Sequence, residues 1–422
     1  MISNNAQPPT KSMLKYLASY AEPETQIARE RIHSTEDKDR WQYCLIIPAY
    51  KESKAFYQRL ASSLLKQHAV LLVLVINQPD SLTSPHPDNA LLWHQLIDST
   101  VEQDTSSNIL LRSIPHTNST LLLIDRFDVD REIPQKQGVG LARKIGADIA
   151  LSLINSGHVT HPWIYTTDAD THLPSNYFTV LDSHISSHRT ALPAAATYPF
   201  KHLCDATPVG QATELYEQRL HQYVDGLHTA GSSYAFQTIG STIAISATHY
   251  AQVRGFPKRS GGEDFYLLNK LAKTGGINSV QEAIITIEAR QSDRVPFGTG
   301  PAINKLLLEK NISQANIFYH PQIFVELKRW LEKIHLTQTN SLCELSLSTS
   351  TLEALRTLGA AQAIAAARKV STSASSYKKH IHTWFDAFKT LRFVHCLQEQ
   401  AYPSVNTTDL LTALSCSAKT KK

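Results

Sequence analysis

The stretch Trp163-Ile164-Tyr165-Thr166-Thr167-Asp168-Ala169-Asp170 places two carboxylates directly after a short apolar, β-branched run. A run of this length and composition predicts a buried strand. Two aspartates two positions apart can hold a hard divalent cation, which would neutralise charge on a phosphate-bearing substrate. Taken alone, the triplet is more typical of a polar turn that follows a strand. The surrounding sequence has to decide between these interpretations.

Further apolar runs with helical patterns between them define the predicted fold. Continuous runs at 43–47, 70–76 and 120–124 predict three more buried strands, and helical patterns fall at 53–67, 88–102 and 138–154. Alternating buried strands and helices indicate an α/β protein with a doubly wound, mainly parallel sheet that is covered on both faces. Ligands of such sheets bind beyond the carboxyl ends of the strands. The aspartates, Pro48-Ala49-Tyr50 and Asn77-Gln78 all follow strand ends, so we expect them at one edge.

The chain changes character after Pro301, where strand signals become rare and Ala-rich and Lys-rich helical patterns dominate. Upstream of that point, 209–229 is helical, 238–246 predicts a strand, and Gly261-Gly262-Glu263-Asp264 opens a helix that runs to about residue 273. We therefore predict an N-terminal helical extension at 1–40, a sheet domain at 41–300, a helical C-terminal region at 301–415 and a disordered tail at 416–422.

Composition excludes several classes of protein. The formal net charge is only +4, from 41 basic and 37 acidic residues, so nucleic-acid binding has no electrostatic support. The sequence contains no apolar run long enough to span a bilayer and no signal-peptide pattern at its start, which predicts a cytoplasmic protein without a transmembrane segment; peripheral membrane contact stays open. Five dispersed cysteines are typical of buried thiols in a reducing compartment.

Ordered segments of the chain resemble the motifs of family 2 glycosyltransferases. The first strand and Pro48-Ala49-Tyr50-Lys51-Glu52 are similar to that family's strand and Pro-x-Tyr-Asn-Glu, and Gly138 to Gly146 resembles its Gly-x-x-x-Ala-Arg-Asn-x-Gly helix. Asp168-Ala169-Asp170 lies where the family has its Asp-x-Asp. Gly240-Ser241 and Gly255-Phe256-Pro257 then precede Gly261-Gly262-Glu263-Asp264, which resembles the family's Glu-Asp motif. The resemblance implies the GT-A fold, a Rossmann-like sheet, with a nucleotide-sugar donor and a divalent metal, Mg or Mn.

The same resemblance implies roles for four acidic residues. Asp170 is the predicted metal ligand, and Asp168 binds the metal or the donor beside it. Asp264, with Glu263 next to it, is the predicted general base that removes the acceptor proton. The alternative for Glu263-Asp264 is a pair of helix N-terminal charges that complement the helix dipole.

Further residues are predicted to contact the donor: Pro48, Tyr50, Glu52, Asn77, Arg143, Arg290 and Arg294. Glu52 is also compatible with a simple helix N-terminal charge, and Arg143 with an exposed helix arginine. Arg290 and Arg294 lie in a segment, 290–300, that predicts either a mobile loop closing on the diphosphate or a linker between domains. Asn77-Gln78 replaces the family's frequent Asp-Asp, which leaves the nucleotide base undetermined, and Lys144 replaces the asparagine after Ala-Arg.

These observations predict a soluble, metal-dependent glycosyltransferase that moves a sugar from a nucleotide diphosphate to an acceptor hydroxyl, with inversion and with Asp264 as base. The acceptor is undetermined. One alternative is a nucleotidyltransferase, although the chain has Ala49-Tyr50-Lys51-Glu52 where those enzymes carry a glycine-rich basic loop. Another is a non-catalytic binding module of GT-A fold, against which the intact Asp168, Asp170 and Asp264 argue.

Overall fold

The computed structural model describes residues 10–34, 41–102, 108–182, 193–295 and 298–419 of the chain. It divides into two compact units. The sheet unit comprises Met1–Leu203, Thr238–Glu288 and Asp293–Gly298, and the helical unit comprises Cys204–Gln237, Ala289–Ser292 and Thr299–Lys422. This division groups residues 208–229 with the C-terminal helices, whereas the sequence-based boundary at residue 300 separates them. The domain boundaries from sequence therefore stay a prediction.

Twelve strands are found in the described residues, all of them in the sheet unit. They are β1 (Tyr43–Ala49), β2 (Val70–Asn77), β3 (Val101–Glu102), β4 (Ile109–Ser113), β5 (Thr120–Arg126), β6 (Trp163–Thr166), β7 (Thr171–His172), β8 (Ala195–Thr197), β9 (Phe200–Leu203), β10 (Ile243–Ser246), β11 (Ile277–Ser279) and β12 (Ile285–Glu288).

The helices of the sheet unit are α1 (Lys11–Ser19), α2 (Glu24–Ser34), α3 (Ala55–Ser62), α4 (Leu64–Gln67), α5 (Pro87–Asp98), α6 (Gly138–Ser156), α8 (Ala247–Gln252) and α9 (Glu263–Leu271). Those of the helical unit are α7 (Pro208–Thr229), α10 (Thr299–Leu306), α11 (Gln322–Lys333), α12 (Thr349–Thr357), α13 (Ala360–Val370), α14 (Ala374–Trp384), α15 (Ala387–Gln400) and α16 (Thr407–Lys419). Residues 416–419, part of the tail predicted to be disordered, thus belong to the last helix.

Nine strands form one sheet in the order β11-β8-β10-β6-β1-β2-β5-β4-β3. The central four, β5, β2, β1 and β6, are mutually parallel, and antiparallel strands flank them on both sides. All residues of β1 and β2 are buried, as their continuous apolar sequence predicts. The predicted fold class, an α/β protein with a doubly wound, mainly parallel central sheet and a helical C-terminal region, is confirmed.

Several predicted elements have different bounds, and the helix predicted at 53–67 is divided into α3 and α4. The helix predicted at 88–102 ends at Asp98, because the chain then enters β3 and pairs with β4. The strand predicted at 238–246 begins only at Ile243, since Gly240–Thr242 forms a 3-10 turn. A second sheet, in the order β7-β12-β9, was not predicted.

The helical unit has apolar cores of its own. Trp330, Ile323 and Leu327 of α11 are fully buried among side chains that include Leu355, Ile381 and Phe393. A smaller cluster joins α7 to α10 through Ala212, Leu215 and Ile303. Within the part of the chain that the structure describes, no helix has both the length and the apolar character needed to cross a bilayer.

Candidate active site

The strand order of the sheet reverses between β1 and β6. The chain proceeds from β1 to β2 and β5 on one side, and then returns to place β6 on the other side of β1. In open α/β sheets this switch point forms the crevice in which ligands bind. Residue Ile46 of β1 pairs with Thr166 of β6, and Ala49 pairs with Ile76 of β2, so the three strands end at the same edge. The Asp168–Asp170 segment directly follows β6 there.

Arg143 joins two acidic segments that lie far apart in the sequence. Its side chain, 3% exposed, extends from the first turns of α6. Nη2 donates to Oδ1 of Asp168 at 2.5 Å, and Nε donates to Oε1 of Glu263 at 2.8 Å. Nη1 donates to Oγ1 of Thr166 at 2.8 Å. Burial alone would lower the pKa of Arg143, but the attraction of Asp168 and Glu263 raises it above the ordinary value. The cation therefore stays charged between the two carboxylates.

Glycines allow Arg143 and α6 to occupy this place. A Cβ at Gly240 would lie 2.7 Å from Nη2 of Arg143, so any larger residue there would displace the guanidinium. Gly140 lies against the backbone of Pro257 and Arg259, and its amide donates to the Arg259 carbonyl at 2.9 Å. The glycines at the start of α6 thus bring the helix onto the segment that leads into α9. The close approach explains why the sequence has glycine at both Gly138 and Gly140.

The Asp264 carboxyl, partly buried at the start of α9, has an unusual pKa. Desolvation and the repulsion of the neighbouring Glu263 raise its pKa to about 7, although Arg143 and a hydrogen bond from the Phe265 amide act in the opposite direction. A carboxyl group with a pKa near neutrality can accept a proton at physiological pH, as a general base must. The helix-dipole interpretation accounts for an acidic first turn but not for a raised pKa.

The Asp168–Asp170 segment is a tight turn whose two aspartates are partly exposed. Oγ1 of Thr171 donates to the Asp168 carbonyl at 2.7 Å, and the Glu288 amide donates to the Asp170 carbonyl at 2.9 Å. No group of three or more His, Cys, Asp or Glu side chains that could hold a metal by itself occurs in the described residues. Two aspartates still suit a hard cation that takes its other ligands from a diphosphate and water. The donor set fits magnesium or manganese bound together with a nucleotide.

The ends of β1 and β2 are joined by Asn89, a fully buried residue of α5. Its Oδ1 accepts from the Lys51 amide at 2.9 Å, and its Nδ2 donates to the Asn77 carbonyl at 3.1 Å. Lys51 has a left-handed φ of 55°, which the bond from Asn89 helps to stabilise. Asn77 is buried too, and its side-chain Nδ2 donates to the carbonyls of Ala49 and Val75. Asn77, one of the predicted donor residues, thus belongs to a hydrogen-bonded network that joins the ends of β1 and β2.

The remaining predicted donor residues have mixed surroundings. Arg294 forms an ion pair with Glu52, whose side chain is 10% exposed. Pro48 is buried within β1, and the ring of Tyr50 lies under Nζ of Lys51 at 5.0 Å. Arg290 belongs to the helical unit. The roles of all these residues in donor binding stay predictions.

The sequence did not indicate Asn89, Thr166, Arg59 or Glu288 as members of the site. Each is an ordinary residue of a helix or strand, and its importance arises only from partners that lie far away in the chain. No local pattern could have found them.

No protein-family model matches the chain, and no curated protein is similar to it. Similar solved structures include GalNAc-T7 with UDP, GalNAc and Mn2+, with 12% identity over 69% of this chain and a TM-score of 0.34. The match spans about half, 52%, of the GalNAc-T7 chain. They also include the mannosyltransferase PcManGT from Pyrobaculum calidifontis in complex with GDP-Man and Mn2+, with 16% identity, 90% of this chain and 95% of that chain covered, and a TM-score of 0.34.

Proposed function

We propose that the protein is a metal-dependent glycosyltransferase that moves a sugar from a nucleotide-diphosphate donor to an acceptor hydroxyl. The observation that carries the proposal is the Arg143 network. It joins Asp168 of the Asp-x-Asp segment to Glu263 of the Glu-Asp segment, 95 residues further along the chain, at the edge where such sheets bind ligands. If the resemblance of these motifs were a coincidence, there would be no reason for Asp168 and Glu263 to pair with the same buried arginine.

The proposed roles follow from charge and exposure. Asp170 is the metal ligand, together with the donor diphosphate, and Asp168 lies on the donor side, where Arg143 holds one of its oxygens. A bound Mg2+ or Mn2+ would neutralise the charge that the diphosphate gains as it leaves. Glu263 is 4% exposed and forms an ion pair with Arg143 next to Asp264. Repulsion from Glu263, together with burial, raises the pKa of Asp264, which makes Asp264 the better base.

In the proposed inverting reaction Asp264 accepts the proton of the acceptor hydroxyl. The acceptor oxygen forms a bond to the anomeric carbon of the sugar from the side opposite the donor. The bond from that carbon to the diphosphate oxygen breaks, and its electron pair leaves with the nucleoside diphosphate. Asp264 then releases its proton to water, which returns the site to its starting state.

The test is incubation of the purified protein with a panel of nucleotide sugars and Mn2+ or Mg2+. We expect one donor to be hydrolysed slowly without acceptor, and the matching nucleoside diphosphate to raise the melting temperature only when metal is present. Both effects should vanish in Asp170→Ala. An Asp170→Ala protein that behaves like the native one would overturn the proposal. With an acceptor found, the anomeric configuration of the product decides between inversion and retention.

A further inference from the structure

Arg59 of α3 lies next to the Asp168–Asp170 segment and contacts its backbone. Its Nη2 donates to the backbone carbonyls of Ala169, at 3.1 Å, and of Thr171, at 3.3 Å. The two carbonyls flank Asp170, the proposed metal ligand. The guanidinium thus holds the backbone on both sides of that residue.

Glu288 of β12 completes the arrangement. Its Oε1 lies 3.2 Å from Nη1 of Arg59 and 3.2 Å from Nε2 of His172. Its amide donates to the Asp170 carbonyl at 2.9 Å. The three successive carbonyls of Ala169, Asp170 and Thr171 therefore all accept hydrogen bonds, from α3 on one side and from β12 on the other.

These bonds restrain the direction of the Asp170 side chain. A hydrogen bond to a carbonyl orients its peptide plane, and two successive peptide planes determine where the Cα–Cβ bond between them points. Asp170 is only partly buried, so side-chain packing restrains it less than it restrains a core residue. A metal site requires its ligands to be placed to within about 0.5 Å. Backbone restraint at Asp170 is one means of meeting that requirement, beside the side-chain bond from Arg143 to Asp168.

We propose that Arg59 is a positioning residue for the metal-binding Asp168–Asp170 segment, and that Glu288 orients Arg59. The inference rests on the proposed function, since it assumes that Asp170 binds metal. The competing explanation is an ordinary surface ion pair: the side chains of Arg59 and Glu288 are 31% and 41% exposed, and such pairs contribute little to stability. The two explanations differ in what the loss of Arg59 does to metal binding.

The experiment measures Mn2+ binding by electron paramagnetic resonance, with UDP or GDP present, together with the melting temperature. Perturbing residues that orient metal ligands weakens metal binding by about 10–100-fold. We expect Arg59→Gln to weaken Mn2+ binding by that factor. Arg59→Lys, which keeps the charge but not the two-carbonyl contact, should lose nearly as much. Arg131→Gln is the control, because it removes another partly exposed arginine from an ion pair, here with the buried Asp125, elsewhere in the sheet unit.

Asp170→Ala separates the inference from the proposed function. If native protein does not bind Mn2+, or if Asp170→Ala binds it normally, the proposed metal site is wrong. If Asp170→Ala abolishes binding while Arg59→Gln and Arg131→Gln both bind as native protein does, the metal site stands and the role of Arg59 is overturned.

Glu288→Gln supplies a second measurement. We expect it to weaken Mn2+ binding by less than Arg59→Gln does, and to add nothing further in the double variant, because Glu288 acts through Arg59. Fully additive losses would overturn the orienting role of Glu288.

Discussion

Arg143 and Lys144 are consecutive residues of α6, both are buried cations, and both pair with carboxylates, yet their surroundings differ. Nζ of Lys144 donates to Oδ2 of Asp148 at 2.7 Å, to the Tyr16 hydroxyl at 2.6 Å and to the Tyr20 carbonyl at 2.8 Å. These contacts tie α6 to the N-terminal helix. Arg143 instead points to the sheet edge, where it meets Asp168 and Glu263.

Asp148 and the carboxylates around Arg143 differ in how many bonding partners the protein supplies to them. Asp148 is fully buried and accepts hydrogen bonds from the hydroxyls of Tyr16 and Tyr250, from the Glu22 amide and from Lys144. Burial nevertheless raises its pKa, despite the attraction of Lys144. With Glu22, which pairs with Lys144 and Lys258, this cluster balances two carboxylates against two cations, and Asp148 has a complete set of donors, as an internal structural network must have.

The Arg143 cluster has an excess of negative charge and is open on one side. Asp168 is one-third exposed, and Asp264 lies next to Glu263 with its pKa raised to about 7. An excess of negative over positive charge, with a carboxyl pKa shifted from its ordinary value, is typical of functional sites. A buried ion pair alone therefore does not identify a functional site. The excess of negative charge and the exposure of Asp168 to solvent distinguish the Arg143 cluster from the Lys144 cluster.

The largest expected effect comes from removing each cation in turn. Arg143→Met and Lys144→Met should each lower the free energy of unfolding by about 3–5 kcal/mol, because each leaves a buried carboxylate without its partner. Only Arg143→Met should also abolish Mn2+ binding and sugar transfer by the molecules that remain folded. Urea unfolding measures the first quantity and electron paramagnetic resonance the second.

The double variant Lys144→Met/Asp148→Asn is the control for Lys144→Met, since it removes the unpaired charge as well and should recover part of the stability. The distinction between the clusters is wrong if Lys144→Met eliminates Mn2+ binding as completely as Arg143→Met does.

Asp264→Asn tests the open cluster directly. Loss of a general base should lower kcat by about 10²–10⁴-fold. The same variant should be more stable than native protein at pH 8, by on the order of a few kcal/mol, because it removes a carboxylate whose ionisation burial and Glu263 oppose. Initial rates and urea unfolding over pH 4–9 measure both.

The pH dependence has a definite sign. In the folded protein the pKa of Asp264 is about 7, whereas its ordinary value is 3.8. The folded state therefore binds the proton more tightly, and Asp264 makes the free energy of unfolding decrease as pH rises from about 4 to about 7. The stability difference between Asp264→Asn and native protein should grow over this interval and level off above it. A difference that is constant with pH would show that the pKa of Asp264 is ordinary.

Gly240→Ala should disturb the Arg143 cluster without touching a charge. The new methyl group would lie 2.7 Å from Nη2 of Arg143, which its bonds to Asp168 and Glu263 prevent from moving freely. We expect a loss of about 1–3 kcal/mol in stability and weaker Mn2+ binding. Gly276→Ala, where a Cβ meets nothing within 4 Å, is the matched control and should be near neutral. Equal effects of the two variants would contradict the close packing at Gly240.

The smallest effect on the Arg143 cluster is expected from Asn89, which instead supports the edge formed by β1 and β2. Asn89→Ala removes the bonds to the Lys51 amide and the Asn77 carbonyl, and should cost about 1–3 kcal/mol of stability. UDP or GDP should also bind more weakly, as isothermal titration calorimetry can measure. Asn176→Ala, which removes one exposed bond to the Glu282 carbonyl, should change neither. Unaltered nucleotide binding by Asn89→Ala would remove this edge from the proposed donor site.

The sequence by itself determined the central strands, the helices between them and the edge at which the acidic segments meet. Short continuous apolar runs bounded by turn residues predict central strands, and the carboxyl ends of parallel strands lie at one edge whatever the details of packing. That position singled out Asp168 and Asp170 before any contact was known, whereas Asp264 was indicated by the resemblance of Gly261-Gly262-Glu263-Asp264 to the Glu-Asp motif. The short strands β3, β8 and β11 could not be predicted, because two or three residues carry no periodic pattern.

Only the tertiary structure decided how the site is held together. Arg143 and Lys144 are adjacent in sequence, and nothing local indicates that one meets Asp168 and Glu263 while the other meets Asp148 and Tyr16. Adjacent helix residues point about 100° apart, so each meets different parts of the chain. The raised pKa of Asp264 likewise depends on burial and on neighbouring charges, which exist only in the folded protein.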